Sequence, residues 1–217
     1  MFGFIRKIYH KRKTEKLYNT VTSSLTQNGD GLELLPKTMI QLIEGSTKED
    51  IVIRNNVMLL GCSLLSAHHG KIVIGNNTKV GNGSQILCVD SVTIGDYTAV
   101  AQYVKIVDNN NHPLNPEFRQ YMRTTPHGSD ARSMIHSDHK PVVIGKNCWI
   151  GEHSRIQKGV TIGDNSIIAA CSVVTKDVPA NCIAAGNPAK VVKTDIDKIP
   201  APSSCKEFND YLASKQS

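Results

Sequence analysis

Across residues 143–179 an aliphatic side chain returns at every sixth position: Ile144, Ile150, Ile156, Ile162, Ile168 and Val174. Four places after each comes a small or β-branched residue, namely Cys148, Ser154, Val160, Ser166, Ser172 and Val178. Gly or Ala often follows the aliphatic directly, as at Gly145, Gly151, Gly163 and Ala169. A period of six fits neither the turn of an α-helix nor the alternation of a continuous strand. It fits a chain that runs straight for a few residues, turns and repeats, with each aliphatic aimed at one axis. Hexapeptide periodicity of this kind predicts a parallel β-helix. Ordinary short strands with accidental spacing account poorly for six matches in one register.

Upstream the pattern is looser but recognisable. Ile53-Arg54-Asn55-Asn56-Val57 returns as Ile74-Gly75-Asn76-Asn77-Thr78, Ile94-Gly95-Asp96-Tyr97-Thr98, Ile144-Gly145-Lys146-Asn147-Cys148 and Ile162-Gly163-Asp164-Asn165-Ser166. The last interval is 18 residues, three sixes, so one coil is three short strands and three turns. The earlier intervals of 21 and 20 residues are the same coil with small insertions near residues 67–70 and 89–90. Gly and Asn recur because tight corners demand positive φ, which they tolerate. Stacked Asn side chains can also bond one another from coil to coil. After Ile94, Val100 and Ile106 the period vanishes over residues 108–141 and then resumes, which marks a loop thrown out from the solenoid wall. A gap this long without a pattern of its own is uncommon unless it is functional or disordered.

The chain therefore divides into a basic helical lead-in over residues 1–30, a β-helix over 31–192 with the extruded loop 108–141, and a tail over 193–217. Ser204 and Glu207 have capping-box spacing, which predicts a short helix starting there. Its apolar face, Phe208, Tyr211 and Leu212, would cover the open end of the coil stack.

Composition changes this picture little. Aromatic residues are only 5% of the 217, as expected of an interior filled by stacked Ile and Val. The net charge of +6 is concentrated in Arg6, Lys7, Lys11, Arg12, Lys13 and Lys16. That segment reads either as a solvated helix or as a contact for a membrane face or anionic polymer. Nucleic acid is not expected, because no recognised module accompanies the charge. No apolar run approaches bilayer-spanning length, and the early apolar residues are interrupted by charge, so a cytoplasmic protein without a secretory signal is expected. The six cysteines are scattered and none forms a close pair, which fits reduced, semi-apolar filler rather than a metal or redox motif.

The hexads, His112-Pro113 in the extruded loop, and the closing run AAGNPAKVV over 184–192 resemble the hexapeptide-repeat acyltransferases, specifically the galactoside, maltose and polysaccharide O-acetyltransferases. The resemblance covers residues 74–192. It implies a left-handed parallel β-helix, assembled as a homotrimer with active sites between neighbours, and acetyl-CoA as donor with no metal. It also implies that His112 is the general base. Transfer of an acetyl group from a thioester to a hydroxyl needs a group that takes the hydroxyl proton, and imidazole suits this near neutral pH. Pro113 restricts the backbone of His112, and Pro116, Glu117 and Arg119 complete the family-like context. His136 and His139 are rivals.

By the same resemblance the turn Gly151-Glu152 supplies backbone N–H groups to an oxyanion. Trp149, alone of its kind, lines the donor tunnel, packs the fold, or does both, and Ala170 lies beside the pantetheine arm. Thr175, Lys176, Lys190 and Lys193 match positions that hold coenzyme A, with Lys190 where Arg is common; lysine offers a point charge and no fork. Two departures fall on the acceptor side. Ala101-Gln102-Tyr103 stands where the family has a sugar-binding Asn, which leaves Tyr103 and Arg119 as acceptor candidates, and residues 120–141 are longer than in the simple galactoside enzymes. An acidic sugar would suit Arg119, Arg123 and the basic lead-in. The expectation is thus an O-acetyltransferase for a sugar or polysaccharide of capsule or lipopolysaccharide type. The alternatives are an N-acetyltransferase for an amino sugar and a zinc carbonic anhydrase of the same fold, whose three converging histidines His68, His69 and His153 do not supply at coil spacing.

Overall fold

In the computed structural model, residues 19–25 and 27–215 are described. The basic stripe of the expected lead-in, and its membrane or polymer contact, lie in residues 1–18, outside the described residues. From Gln27–Asn28 onward the strands climb in three parallel ladders, the faces of a prism. The first face runs from Gln27–Asn28 through Ile51–Ile53, Lys71–Ile74, Ser91–Ile94 and Val142–Ile144 to Thr161–Ile162. The second includes Ala99–Val100, Trp149–Ile150 and Ile167–Ile168, and the third runs from Met39–Ile43 to Val173–Val174. This is the expected left-handed parallel β-helix.

The six-residue period is visible as rungs. Ile74, Ile94, Ile144 and Ile162 are aligned on the first face, Val100, Ile150 and Ile168 on the second, and Ile106, Ile156 and Val174 on the third. All are essentially inaccessible to water. Burying one such side chain contributes roughly 1.5–3 kcal/mol, so the column of rungs is the main source of stability. Asn56, Asn77, Asn147, Asn165 and Asn181 take left-handed φ at one corner. Their amides form the anticipated ladder in two parts interrupted at Tyr97, with Asn56 Nδ2 donating to Asn77 Oδ1 at 3.2 Å, Asn147 Nδ2 to Asn165 Oδ1 at 3.0 Å and Asn165 Nδ2 to Asn181 Oδ1 at 2.8 Å.

Every insertion falls at one corner, between the third face and the first. Residues 44–50, 68–70 and 89–90 occupy it in successive coils, and 108–141 occupy it in the next. The corner is held by polar contacts between coils. Asp50 is buried; its carboxylate accepts from the Thr47 N–H at 2.7 Å, lies 3.2 Å from His69 Nδ1, and is ion-paired with Lys71. Burial pushes the Asp50 carboxyl up, but the Lys71 ammonium, the Thr47 N–H and His69 together outweigh it and hold it below its ordinary 3.8. A carboxyl lowered by folding stabilises the fold in full above its unfolded value and loses that contribution as pH falls through the folded one. The melting temperature is expected to drop as pH falls through and below the ordinary carboxylate range, and Asp50→Asn should flatten part of that slope in a thermal-shift series. An unchanged slope would remove Asp50 from the account.

The tail departs from expectation. The last helix, Lys206–Ser214, is capped by Cys205 without a side-chain bond, so Ser204 and Glu207 make no capping box there. None of its residues is buried, and Phe208, Tyr211 and Leu212 are exposed. The stack end is instead closed by Ile183–Gly186 and the antiparallel Ala189–Lys193, which extend the second face. Cys62, Cys88, Cys148 and Cys182 are buried, as expected of filler, while Cys171 and Cys205 are exposed. Burial drives the Cys62 thiol up to about 12 and raises Cys88 and Cys148 as well, so these three are poor nucleophiles.

Candidate active site

The loop leaves the third face after Val107 and rejoins the first at Val142. Its root is the buried Asp108, the first residue outside the hexad register. One carboxylate oxygen accepts from the Val89 N–H (3.0 Å) and from Asn109 Nδ2 (2.9 Å); the other accepts from Val89 N–H (3.0 Å) and Asp90 N–H (2.8 Å). The two stems are then stitched together. Lys140 N donates to Asp108 O at 2.8 Å and Asn110 N to Asp138 O at 2.9 Å, and Asn109 bridges His139. Asn109 Oδ1 turns the chain by accepting from Asn111 N at 2.8 Å, and Asn111 takes φ 65°. Three residues separate this anchor from His112, so the imidazole hangs from a rigid base.

Beyond His112, Asn115 caps a helix at Pro116–Thr124, its Oδ1 accepting from Phe118 N at 2.7 Å. Arg119 on this helix reaches back, its Nη1 donating to Pro113 O at 3.4 Å and also to Leu114 O. The structure thus gives Arg119, expected at the acceptor, a positioning task on the turn that carries His112. The far part of the loop folds onto the insertion corner. Met134 packs with Ala67 and Val89, Ser133 donates to Glu44 Oε2 at 3.0 Å, and His68 Nε2 lies 2.8 Å from the same oxygen.

Between loop and corner lies a cavity of about 460 Å3, lined by Glu44, His112, Met122, His127, Ser129 and Arg132 among others. His112 is exposed at it, and among the described residues its ring nitrogens have no hydrogen-bond partner. The rival histidines are committed elsewhere. His136 Nε2 is 3.2 Å from Asp130 and its ring meets Phe118 edge-on at 5.6 Å, while His139 Nδ1 donates to Ser137 O at 2.9 Å. The insertion-corner histidines are committed too, His69 to Asp50 and His68 to Glu44, and at another corner His153 is stacked on Tyr103 at 5.0 Å. Among the described residues no group of three or more His, Cys, Asp or Glu is gathered as a metal ion requires. Tyr103 does not border the His112 cavity; at φ 54° it stands on a different corner beside His153.

A second, apolar groove of about 400 Å3 runs along the second face. It brings together Trp149, Gly151, Glu152 and Ala170 with Ala101 and Ala169. Trp149 is more than half exposed and so walls the groove rather than filling the core. Gly151 is required by coil stacking, since a Cβ there would lie 2.5 Å from Ala170 N. Its own N–H donates to Ile168 O at 2.8 Å, which corrects the expectation that it serves an oxyanion. Of that turn only the Glu152 N–H remains, with no partner among the described residues. Thr175, Lys176, Lys190 and Lys193 do not line the groove; they are exposed toward the closed end of the stack. The groove and the His112 cavity share no residue and belong to different parts of the prism. Sequence reading gave no role to Asp108, Glu44, His127, Ser129 and Arg132; the one local signal was a carboxylate at the first position off the period.

The bacterial transferase hexapeptide family (six repeats) matches residues 141–176. Galactoside O-acetyltransferase of Escherichia coli K12 is 37% identical over 132 residues, covering 61% of this chain and 58% of that protein. The putative lipopolysaccharide biosynthesis O-acetyl transferase WbbJ of the same organism is 33% identical over 134 residues, covering 62% and 66%. The chain thus spans about three-fifths of the length of these curated relatives. A galactoside acetyltransferase solved in complex with coenzyme A superposes with a TM-score of 0.58 at 29% identity, over 88% of this chain and 76% of that one.

Proposed function

We propose that this chain, a member of the hexapeptide-repeat acyltransferases, is an O-acetyltransferase that moves an acetyl group from acetyl-CoA to a hydroxyl of a sugar or polysaccharide. The observation that carries the reading is the division of the chemistry between two places. An imidazole with no partner among the described residues borders one cavity, and an apolar groove suited to a pantetheine arm lies elsewhere on the prism. In this reading a homotrimer sets the groove of one subunit against the loop of the next, so that a single donor meets both. The relatives' names support the class: one acts on galactosides, another is assigned to lipopolysaccharide biosynthesis, and the solved neighbour holds coenzyme A.

In this scheme His112 accepts the proton as the acceptor oxygen bonds to the thioester carbonyl carbon. The Glu152 N–H supports the oxyanion that forms there. When the carbon–sulfur bond breaks, the imidazolium returns its proton to the departing sulfur, giving an acetyl ester and free coenzyme A. Trp149 and Ala170 hold the apolar part of the donor, and Thr175, Lys176, Lys190 and Lys193 supply hydroxyl and positive charge for its phosphates. The setting is cytoplasmic, where the donor is made; among the described residues no helix is long and apolar enough to cross a membrane.

The test is acceptor-dependent release of coenzyme A thiol, with the product analysed by mass spectrometry before and after mild base. A base-labile acetyl on a glycan is expected. A base-resistant acetamide would move the reaction to an amine, and thiol release indifferent to any glycan would sink the reading.

A further inference from the structure

Among the described residues no carboxylate is paired with the guanidinium of Arg132, which lines the His112 cavity. Arg132 is half-buried in its wall, and its Nε is fixed on Thr125 O at 3.0 Å. Among the described residues its terminal nitrogens meet neither a carboxylate nor a carbonyl. The carboxylate in the same wall, Glu44, is already engaged by His68 and Ser133. The same cavity is lined by Ser129, whose Oγ is enclosed yet has no hydrogen-bond partner among the described residues. An enclosed hydroxyl left unpaired costs about 1–3 kcal/mol, and such groups in native proteins ordinarily have a partner. Two unmet donors in one wall, with His112 at the same cavity, describe a subsite for an anion that belongs to the acceptor.

We propose that this cavity recognises an acidic sugar through its carboxylate, with the free edge of the Arg132 guanidinium and the Ser129 hydroxyl donating to the two oxygens. The inference rests on the O-acetyltransferase reading and names the acceptor class for it. A planar guanidinium edge matches a carboxylate in two parallel bonds. The nearby Glu44 selects against a doubly charged phosphate more strongly than against a singly charged carboxylate. Docked so, the sugar places a neighbouring hydroxyl toward His112. The acidic group is thereby read by Arg132, which lines the His112 cavity, and not by Arg119, which does not line it and whose Nη1 is held on the Pro113 and Leu114 carbonyls.

The experiment uses the full-length protein with methyl sialoside and methyl glucuronide, the methyl ester of each, and glucose 6-phosphate, measuring both equilibrium binding and acetyl transfer. Each acid is expected to bind about 10- to 100-fold more tightly than its ester. Arg132→Gln should bring that ratio close to one, and Arg132→Lys should restore part of it. Equal binding of acid and ester by the unaltered protein would overturn the subsite. So would an acid-to-ester ratio preserved in Arg132→Gln, or preference for glucose 6-phosphate over both acids. Acid-selective binding without acetyl transfer upholds the subsite and sinks the acetyltransferase reading; transfer without acid preference does the reverse.

Discussion

His112→Ala is expected to lower acetyl transfer by about 100- to 10,000-fold, the usual contribution of a positioned general base. The melting temperature and the affinity for acetyl-CoA should stay at the unsubstituted values. The imidazole is exposed and makes no hydrogen bond among the described residues, so its removal costs the fold nothing that can be named. The apolar groove proposed for the donor contains none of its atoms. Stopped-flow thiol release and calorimetric titration with coenzyme A together check both halves. Turnover surviving within a few-fold would mean another group takes the proton. A lost donor affinity would mean that His112 binds rather than catalyses.

Asp108→Ala should act in the opposite way, through the fold first and the chemistry second. Its carboxylate is fully enclosed and is the acceptor for two backbone N–H groups and the Asn109 amide. Alanine would leave those donors unpaired in a site water does not reach. A loss of about 2–5 kcal/mol is expected, with kcat falling too because the loop that carries His112 loses its root. Asp108→Asn keeps one acceptor oxygen and should fall between. Denaturant unfolding monitored alongside activity separates the two effects. If Asp108→Ala unfolds at the unsubstituted midpoint, the anchor is misassigned.

Arg119 and Gly151 illustrate where reading residues one at a time falls short. Arg119 was expected at the acceptor and Gly151 at the oxyanion, yet Arg119 Nη1 is held on the carbonyls after His112 and the Gly151 N–H is used in the ladder. Residue type and neighbouring motif say what a group could do. Whether its donors remain free depends on partners in other coils. Trp149 shows the converse. Sequence left it between packing and groove wall, and its alternation with the buried Ile150 puts it outside.

What the sequence by itself determined was the solenoid, its rungs, the place of the loop and the histidine within it. Each coil meets nearly the same surroundings as the one before, so the requirement for an aliphatic every six residues is written locally and repeatedly. What only the tertiary structure decided was the content of the insertion corner. Glu44 and Ser133 meet across 89 residues, His68 and Ser133 across 65, and Val89 and Asp108 across 19. The cavity walled by Arg132, Ser129 and His112 exists because the loop folds back on earlier coils, and such closure is a property of distant hydrogen bonds that no local period encodes.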